Sequence, residues 1–179
     1  MISKKKLAAG LAAVASMALI GGSTLASAPA SAADALACTV TGSVTVDAPG
    51  ITNTAAATTG HFNSTTLSCT GPGAGAGNWT VRADFASASE TCAADAAGAG
   101  HFTGGSGPLG AVSGGNFTFT RVGTAVAVTG QVAVGANSYS FAASLIFVPS
   151  NGVCSNPTLT AGTTQAGINA GSTAVVYQT

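Results

Sequence analysis

Lysine is missing from almost the whole chain. All three lysines, Lys4, Lys5 and Lys6, lie in the first six residues, and charged residues make up only 6% of the sequence. Past residue 32 the charges are Arg82 and Arg121 against Asp34, Asp47, Asp84, Glu90 and Asp95, a net of about −3. So few positive charges exclude nucleic acid and anionic membrane surfaces as expected partners. Solubility must rest instead on hydroxyls, amides and glycine backbone. Histidine is nearly absent too. His61 and His101 are the only two, and neither has an acidic neighbour in sequence. A histidine metal site wants a third ligand and a supporting carboxylate, so no metal and no cofactor are expected. No Cys-x-x-Cys spacing occurs, which removes the usual zinc pattern. No long stretch carries apolar residues at helical spacing, so helical architectures are excluded as well.

What is present begins with a secretory signal over Met1 to Ala32. Lys4 to Lys6 supply the positive start, Leu7 to Ile20 the apolar stretch, and Ala30-Ser31-Ala32 the cleavage pattern. The apolar stretch is too short and too alanine-rich for a transmembrane anchor. No twin arginine precedes it, which points to general secretion. The remaining residues, 33–179, form one domain's worth of chain.

Cys38, Cys69, Cys92 and Cys154 all lie beyond the signal. An even number in an exported chain predicts two disulfides, with three possible pairings. Local pairing, Cys38 with Cys69 and Cys92 with Cys154, is the expectation.

The clearest structural signal runs from Asn116 to Val148. Side chains of a strand alternate between two faces. Phe117 and Phe119, then Val126, Val128, Val132 and Val134, then Tyr139, Phe141, Leu145 and Phe147 each fall on one parity of their run. Serines and threonines take much of the other. A two-residue turn at Gly123-Thr124 pairs Val122 with Ala125, Phe119 with Val128 and Phe117 with Gly130. A second turn, centred on Ala136-Asn137, pairs Val134 with Tyr139, Val132 with Phe141 and Val128 with Leu145. Both keep the large residues on one face. Gly130 then lies between Phe117 and Ala143, a small site for a ring to cover. Arg121 shares the face of Phe119 and, being beside the turn, is expected at the rim.

Cys38 to Val46 and Asn78 to Phe85 alternate as well, with Trp79, Val81, Ala83 and Phe85 pointing inward. A weaker strand is expected around His61 to Ser68 and a closing one at Thr173 to Tyr177. Ala86 to Gly98, most of the glycine-punctuated Gly100 to Gly115, and most of Pro149 to Gly171 read as loop. The sum is an all-β chain: an antiparallel sandwich or small barrel of seven to nine strands. Gly60-His61-Phe62 is echoed by Gly100-His101-Phe102, which suggests a duplicated β-unit or a chance recurrence.

Catalytic patterns are weak. Ala111-Val112-Ser113-Gly114-Gly115 has the letters of a variant nucleophile elbow but lacks the strand-to-helix context that makes one. The five acids are scattered, without the opposed pair of glycoside hydrolysis. Arg82 and Asp84, two apart on one strand face, suggest a surface ion pair.

The runs Cys38-Thr39-Val40-Thr41-Gly42, Asp47-Ala48-Pro49-Gly50 and Leu67-Ser68-Cys69-Thr70-Gly71 carry a resemblance. The chain resembles uncharacterised secreted, disulfide-bonded β-rich proteins of high-GC Gram-positive bacteria. The resemblance implies an exported, disulfide-bonded β-domain and names no activity or site.

The functional expectation is a secreted, non-catalytic domain with a structural or interaction role in the extracellular space or cell envelope. Its partner would be an extracellular protein, an envelope component or a small molecule. The alternative is a carrier of a small apolar ligand, with a cavity around Phe117, Gly130, Phe141 and Ala143.

Overall fold

The computed structural model describes residues 35–179. The signal segment, Met1 to Ala32, lies outside the described residues. Nine strands follow one another: β1 (Leu36–Val46), β2 (Ala56–Thr70), β3 (Gly77–Glu90), β4 (Ala96–Gly107), β5 (Gly110–Val122), β6 (Ala125–Val134), β7 (Asn137–Pro149), β8 (Gln165–Ile168) and β9 (Thr173–Gln178). A single helical turn, α1 (Gly152–Ser155), stands between β7 and β8.

All nine strands belong to one antiparallel sheet. From β1 to β7 each strand pairs with the next. Strands β8 and β9 both bridge β7 to β1, at different heights, so they share one place in the order. The pairings therefore close on themselves into a ring.

Alternation decides which way each residue faces. On β1, Leu36, Cys38, Val40, Val44 and Val46 are buried, while Ala37, Thr39, Thr41 and Ser43 are exposed. On β5, Phe117, Phe119 and Arg121 are buried between exposed Asn116, Thr118, Thr120 and Val122. Apolar side chains thus fill the inside of the ring and hydroxyls cover the outside. A strand-crossing membrane protein has the opposite arrangement.

The inside is organised by phenylalanine. The chain has seven, and all seven join one contact network. Ring centroids are 5.4 Å apart for Phe102–Phe117, 5.5 Å for Phe102–Phe141 and 5.7 Å for Phe85–Phe119. Three of the six pairs are edge-to-face, a geometry the ring quadrupoles favour, and three are tilted; favourable pairs contribute about 0.5–1.5 kcal/mol beyond area burial. Glycine makes room for them. Around the ring the lateral partners run Gly60, Phe85, Gly100, Phe117, Gly130, Phe141. Glycine and phenylalanine alternate across six consecutive strands, and rings lie over the bare backbone of their neighbours.

The first hairpin has the expected register: Val122 pairs with Ala125, Phe119 with Val128 and Phe117 with Gly130. The second differs by two residues. Gly135-Ala136 forms the turn, so Val134 pairs with Asn137, Val132 with Tyr139 and Val128 with Ala143. Gly135 takes the positive φ, +59°, that the turn requires. Gly130 is consequently opposite Phe141, and not Ala143. A shift of two preserves parity, so the buried face is unchanged.

Two segments expected as loop are largely strand, while Pro149 to Gly171 is mostly loop as expected. Ala86 to Glu90 continues β3, and Ala96 to Gly107 with Gly110 to Gly115 form β4 and the start of β5. Gly98, Gly100 and Gly107 of β4 are covered by the rings of Phe119, Phe117 and Trp79 from neighbouring strands, a reason invisible within the segment itself. Between Pro149 and Gly171, α1 and β8 interrupt the loop.

Both disulfides have the expected pairing. Cys38–Cys69 ties two residues that are already direct partners in the β1–β2 ladder. Cys92–Cys154 joins the β3–β4 connection to α1. Around it a cap crosses one end of the ring. Ile51 bridges Thr163, Cys92 N–H donates to Thr52 O at 2.9 Å, and Cys154 N–H donates to Thr163 Oγ1 at 2.9 Å.

Candidate functional site

Two groups of polar side chains stand out, one on the outer face and one beneath the cap. The outer group forms where β2, β3 and β4 run side by side. His61, Asp84 and His101 are successive lateral partners, so all three side chains leave the sheet at one height. His61 Nδ1 is 2.7 Å from Asp84 Oδ1, and His101 Nε2 is 3.8 Å from Asp84 Oδ2. The other nitrogen of His61 is 3.2 Å from Asp47 Oδ1. Thr59 Oγ1 donates to Asp47 Oδ2 at 2.6 Å. Asp47 comes from the turn after β1 and closes the row.

The Asp84 contact raises the His61 pKa above its ordinary 6.5; partial burial opposes it and Asp47 adds to it. The Thr59 hydroxyl does most to lower the Asp47 pKa, burial acts against it, and His61 lowers it further. Both ring nitrogens of His61 are engaged by carboxylates, so neither is free to take a proton from a substrate. The expected Arg82–Asp84 pair is not the contact Asp84 makes; His61 takes that place. The two Gly-His-Phe tripeptides flank one segment of β3, Ala83-Asp84-Phe85, in matching register.

This row lies on the open outer face. His101 and Asp84 side chains are 60% and 40% exposed, and none of the cavities described below is lined by His61, Asp84 or His101. Among the described residues, no group of three or more His, Cys, Asp or Glu side chains is placed to hold a metal ion.

The second group is Arg121 with Glu90. Arg121 is buried, 8% exposed, where the rim was expected. Its guanidinium reaches over the end of the ring and holds the β3–β4 connection. Nη1 donates to Gly123 O at 2.8 Å, and Nη2 donates to Ala94 O at 2.9 Å and to Thr91 O. These backbone acceptors allow the charge to go inside. Glu90 is 4% exposed, with Oε2 3.9 Å from Arg121 Nε. Burial raises the Glu90 pKa, and the Arg121 charge pulls it back. Sequence parity had placed Arg121 on the inner face. Glu90 is inward because the β2–β3 register shifts between Ala56 and Thr58, and a bulge reverses the alternation.

The interior has two small hollows. One, of about 110 Å³, has an almost wholly apolar wall that includes Phe117, Phe141 and Ala143. Gly130 is not part of it; with Phe117 it lines instead an open groove of about 690 Å³ among mostly outward-facing residues such as Asn116, Thr118 and Gln131, and a Cβ on Gly130 would meet Phe117 Cα and Cβ at 2.7 Å. The other, of about 150 Å³, lies under the cap and is bounded by Glu90, Arg121 and Val126, among others. Phe62, Phe117 and Val128 line both and separate them.

Ser113 is on exposed β5, donating to Ala133 O at 3.4 Å, and no helix follows it. Asp95 is exposed in the β3–β4 connection. No described helix is long and apolar enough to cross a membrane.

The fold defines an antiparallel, ring-closed, disulfide-bonded all-β domain. Compared with family models, curated proteins and solved structures, the chain matches none.

Proposed function

We propose that the chain is an exported, non-catalytic β-domain with a structural or interaction role in the extracellular space or cell envelope. One observation carries most of the weight. All seven phenylalanines pack into a single network inside the ring and leave hollows of only about 110 and 150 Å³. Sites for drug-sized ligands run to about 300–1,000 Å³. The volume between Phe117, Phe141 and Ala143 fits nothing larger than a benzene-sized molecule. That ranks the apolar-carrier reading second.

Export is supported by the Met1 to Ala32 signal pattern and by two disulfides, which persist in oxidising compartments. The non-catalytic reading is supported by the outer location of His61, Asp84 and His101 and by the doubly engaged His61 ring. The recognition surface would be the hydroxyl-rich outside. It has one exposed arginine, Arg82, so contacts made there depend little on salt.

The test is fractionation of a producing culture followed by native mass spectrometry of the recovered protein. The reading expects the signal-free mass with both disulfides intact and retention on isolated wall material or an extracellular protein that about 0.5 M salt, enough to screen surface charges, does not reverse. A stoichiometric co-purifying molecule would overturn it in favour of the carrier.

A further inference from the structure

The connection from β1 to β2, residues 47–55, is tied down in two places. Its later part holds the cap: Ile51 and Thr163 exchange N–H···O bonds of 2.9 and 2.8 Å, and Thr52 O accepts the Cys92 N–H at 2.9 Å. Its first residue, Asp47, is held to the outer face of the sheet. The Asp47 N–H donates to Thr59 O at 2.9 Å, Oδ2 accepts from Thr59 Oγ1 at 2.6 Å, and Oδ1 faces His61 Nε2 at 3.2 Å. The opposite nitrogen of that ring, Nδ1, is 2.7 Å from Asp84 Oδ1 on β3. One imidazole thus stands between two carboxylates from different parts of the chain. An imidazolium carries an N–H on each nitrogen and satisfies both. A neutral ring carries one N–H, and its other nitrogen turns a lone pair toward a carboxylate.

We propose that His61 is a proton-operated clasp, which in its charged form fastens the β1–β2 connection, and with it the cap, to the outer face of the sheet. The two carboxylates do not lose equally when the ring gives up a proton. Asp84 has the shorter contact, and it is the lateral partner of His61 within the β2–β3 ladder. The remaining proton therefore stays on Nδ1, and the lone pair of Nε2 faces Asp47. Deprotonation slackens the connection and leaves the sheet intact. Thr59 keeps its two bonds to Asp47, so the connection loosens by degree and does not swing free. The neighbouring groups leave this arrangement in place. On β1 the lateral partner of His61 is the uncharged Thr45. On β4, His101 bears on Asp84 Oδ2, the oxygen His61 does not use, at 3.8 Å. Arg82, two residues from Asp84, makes no ion pair among the described residues. The side chains of His61 and Asp47 are 42% and 50% exposed, so water screens their contact and its effect is that of a surface pair. The clasp is complete below 6.5 and is lost as pH rises through the folded value, which the Asp84 contact holds higher. This inference goes beyond the structural reading above and does not rest on it, since a carrier would use the clasp equally well.

Amide hydrogen exchange of the full secreted chain, both disulfides formed, tests it between about pH 5 and about pH 8, with rates corrected for the intrinsic effect of pH. The Ile51 and Cys92 amides, which the connection protects, are expected to open about two- to fivefold more often at the upper end. Asp47→Asn is the decisive variant. Its side-chain amide can accept from a protonated Nε2 and donate to a bare one, so its step with pH is expected to vanish. Glu90, which adjoins the Cys92 loop and also titrates upward, is common to both proteins, so the difference between them isolates the clasp. Nitrogen-15 NMR of the His61 ring is expected to place the proton of the neutral form on Nδ1. Should Asp47→Asn fail to fold, the ring tautomer and the Ile51 step of the unaltered protein decide. An Ile51 opening that is flat with pH, an equal step in Asp47→Asn, or a neutral ring protonated on Nε2 would each overturn the proposal.

Discussion

Gly100 lies directly beneath the ring of Phe117. A Cβ built on Gly100 would stand 2.3 Å from Phe117 Cζ and 2.4 Å from the backbone oxygen of Asp84. Neither neighbour can retreat, because Phe117 is 4% exposed within the aromatic network and Asp84 O belongs to the β3–β4 ladder.

Gly100→Ala is therefore expected to destabilise the fold by about 2–3 kcal/mol through overpacking. Gly167→Ala is the contrast. A Cβ there meets nothing within 4 Å, so alanine should be neutral or stabilise by about 0.4–1 kcal/mol through the unfolded chain. Urea denaturation of both variants checks the pair, and equal effects would show that ring-over-glycine packing does not govern the site.

Thr65 is buried at 4% exposure, and its hydroxyl has no partner. Thr65→Val keeps the shape and removes the unpaired group. It should stabilise the domain by about 1 kcal/mol, read from the shift in the urea midpoint at unchanged slope.

Glu90 titrates upward on folding, so the folded state holds its proton more tightly than the unfolded one. The resulting contribution to stability is complete below the ordinary value of 4.5 and is lost as the pH rises through the raised folded pKa. Glu90→Gln, which cannot ionise, should thus gain on the parent protein as pH increases across that window. Denaturation curves at acidic and neutral pH measure the gain; a constant difference between the two proteins would refute the assignment.

His61 also titrates upward, chiefly through Asp84. For a base the same direction means a contribution present below 6.5 and lost as pH rises through the folded pKa. An NMR titration should place the His61 midpoint above 6.5, and Asp84→Asn should bring it down.

Removing Cys92–Cys154 should cost more than removing Cys38–Cys69, within the usual range of about 2–5 kcal/mol. It closes the longer loop, with a sequence separation of 62 against 31. It also fastens the cap, whereas Cys38 and Cys69 are held by their ladder regardless. Paired Cys→Ala variants compared by denaturation settle the order.

What the sequence made legible was parity. Alternation put Phe117, Phe119, Val126, Val128 and Tyr139 inside, and a wrong turn at Ala136-Asn137 did no harm, since a shift of two leaves every side chain on its face. Bulges were not legible. The register shifts between Phe62 and Thr65 and between Ala56 and Thr58, and the residues they turn inward include Thr65 and Glu90, polar groups that alternation alone would place in solvent. Gly98 and Gly100 read as loop because their covering rings, Phe119 and Phe117, belong to another strand. Asp84 meets His61 and His101 only through the registers of three strands, and the repeated Gly-His-Phe tripeptide was the one local trace of it.

The ring also constrains when the molecule can form. Strand β1, near the start of the described chain, takes its partners on one side from β8 and β9, which end at Gln178. Until those last residues emerge, β1 offers an open row of backbone donors and acceptors to any strand nearby. Contacts of such long sequence separation form slowly. The interval between the emergence of β1 and the arrival of β9 is when this chain is exposed to pairing with its own copies, and a factor that shields β1 over that interval would raise the yield of folded protein.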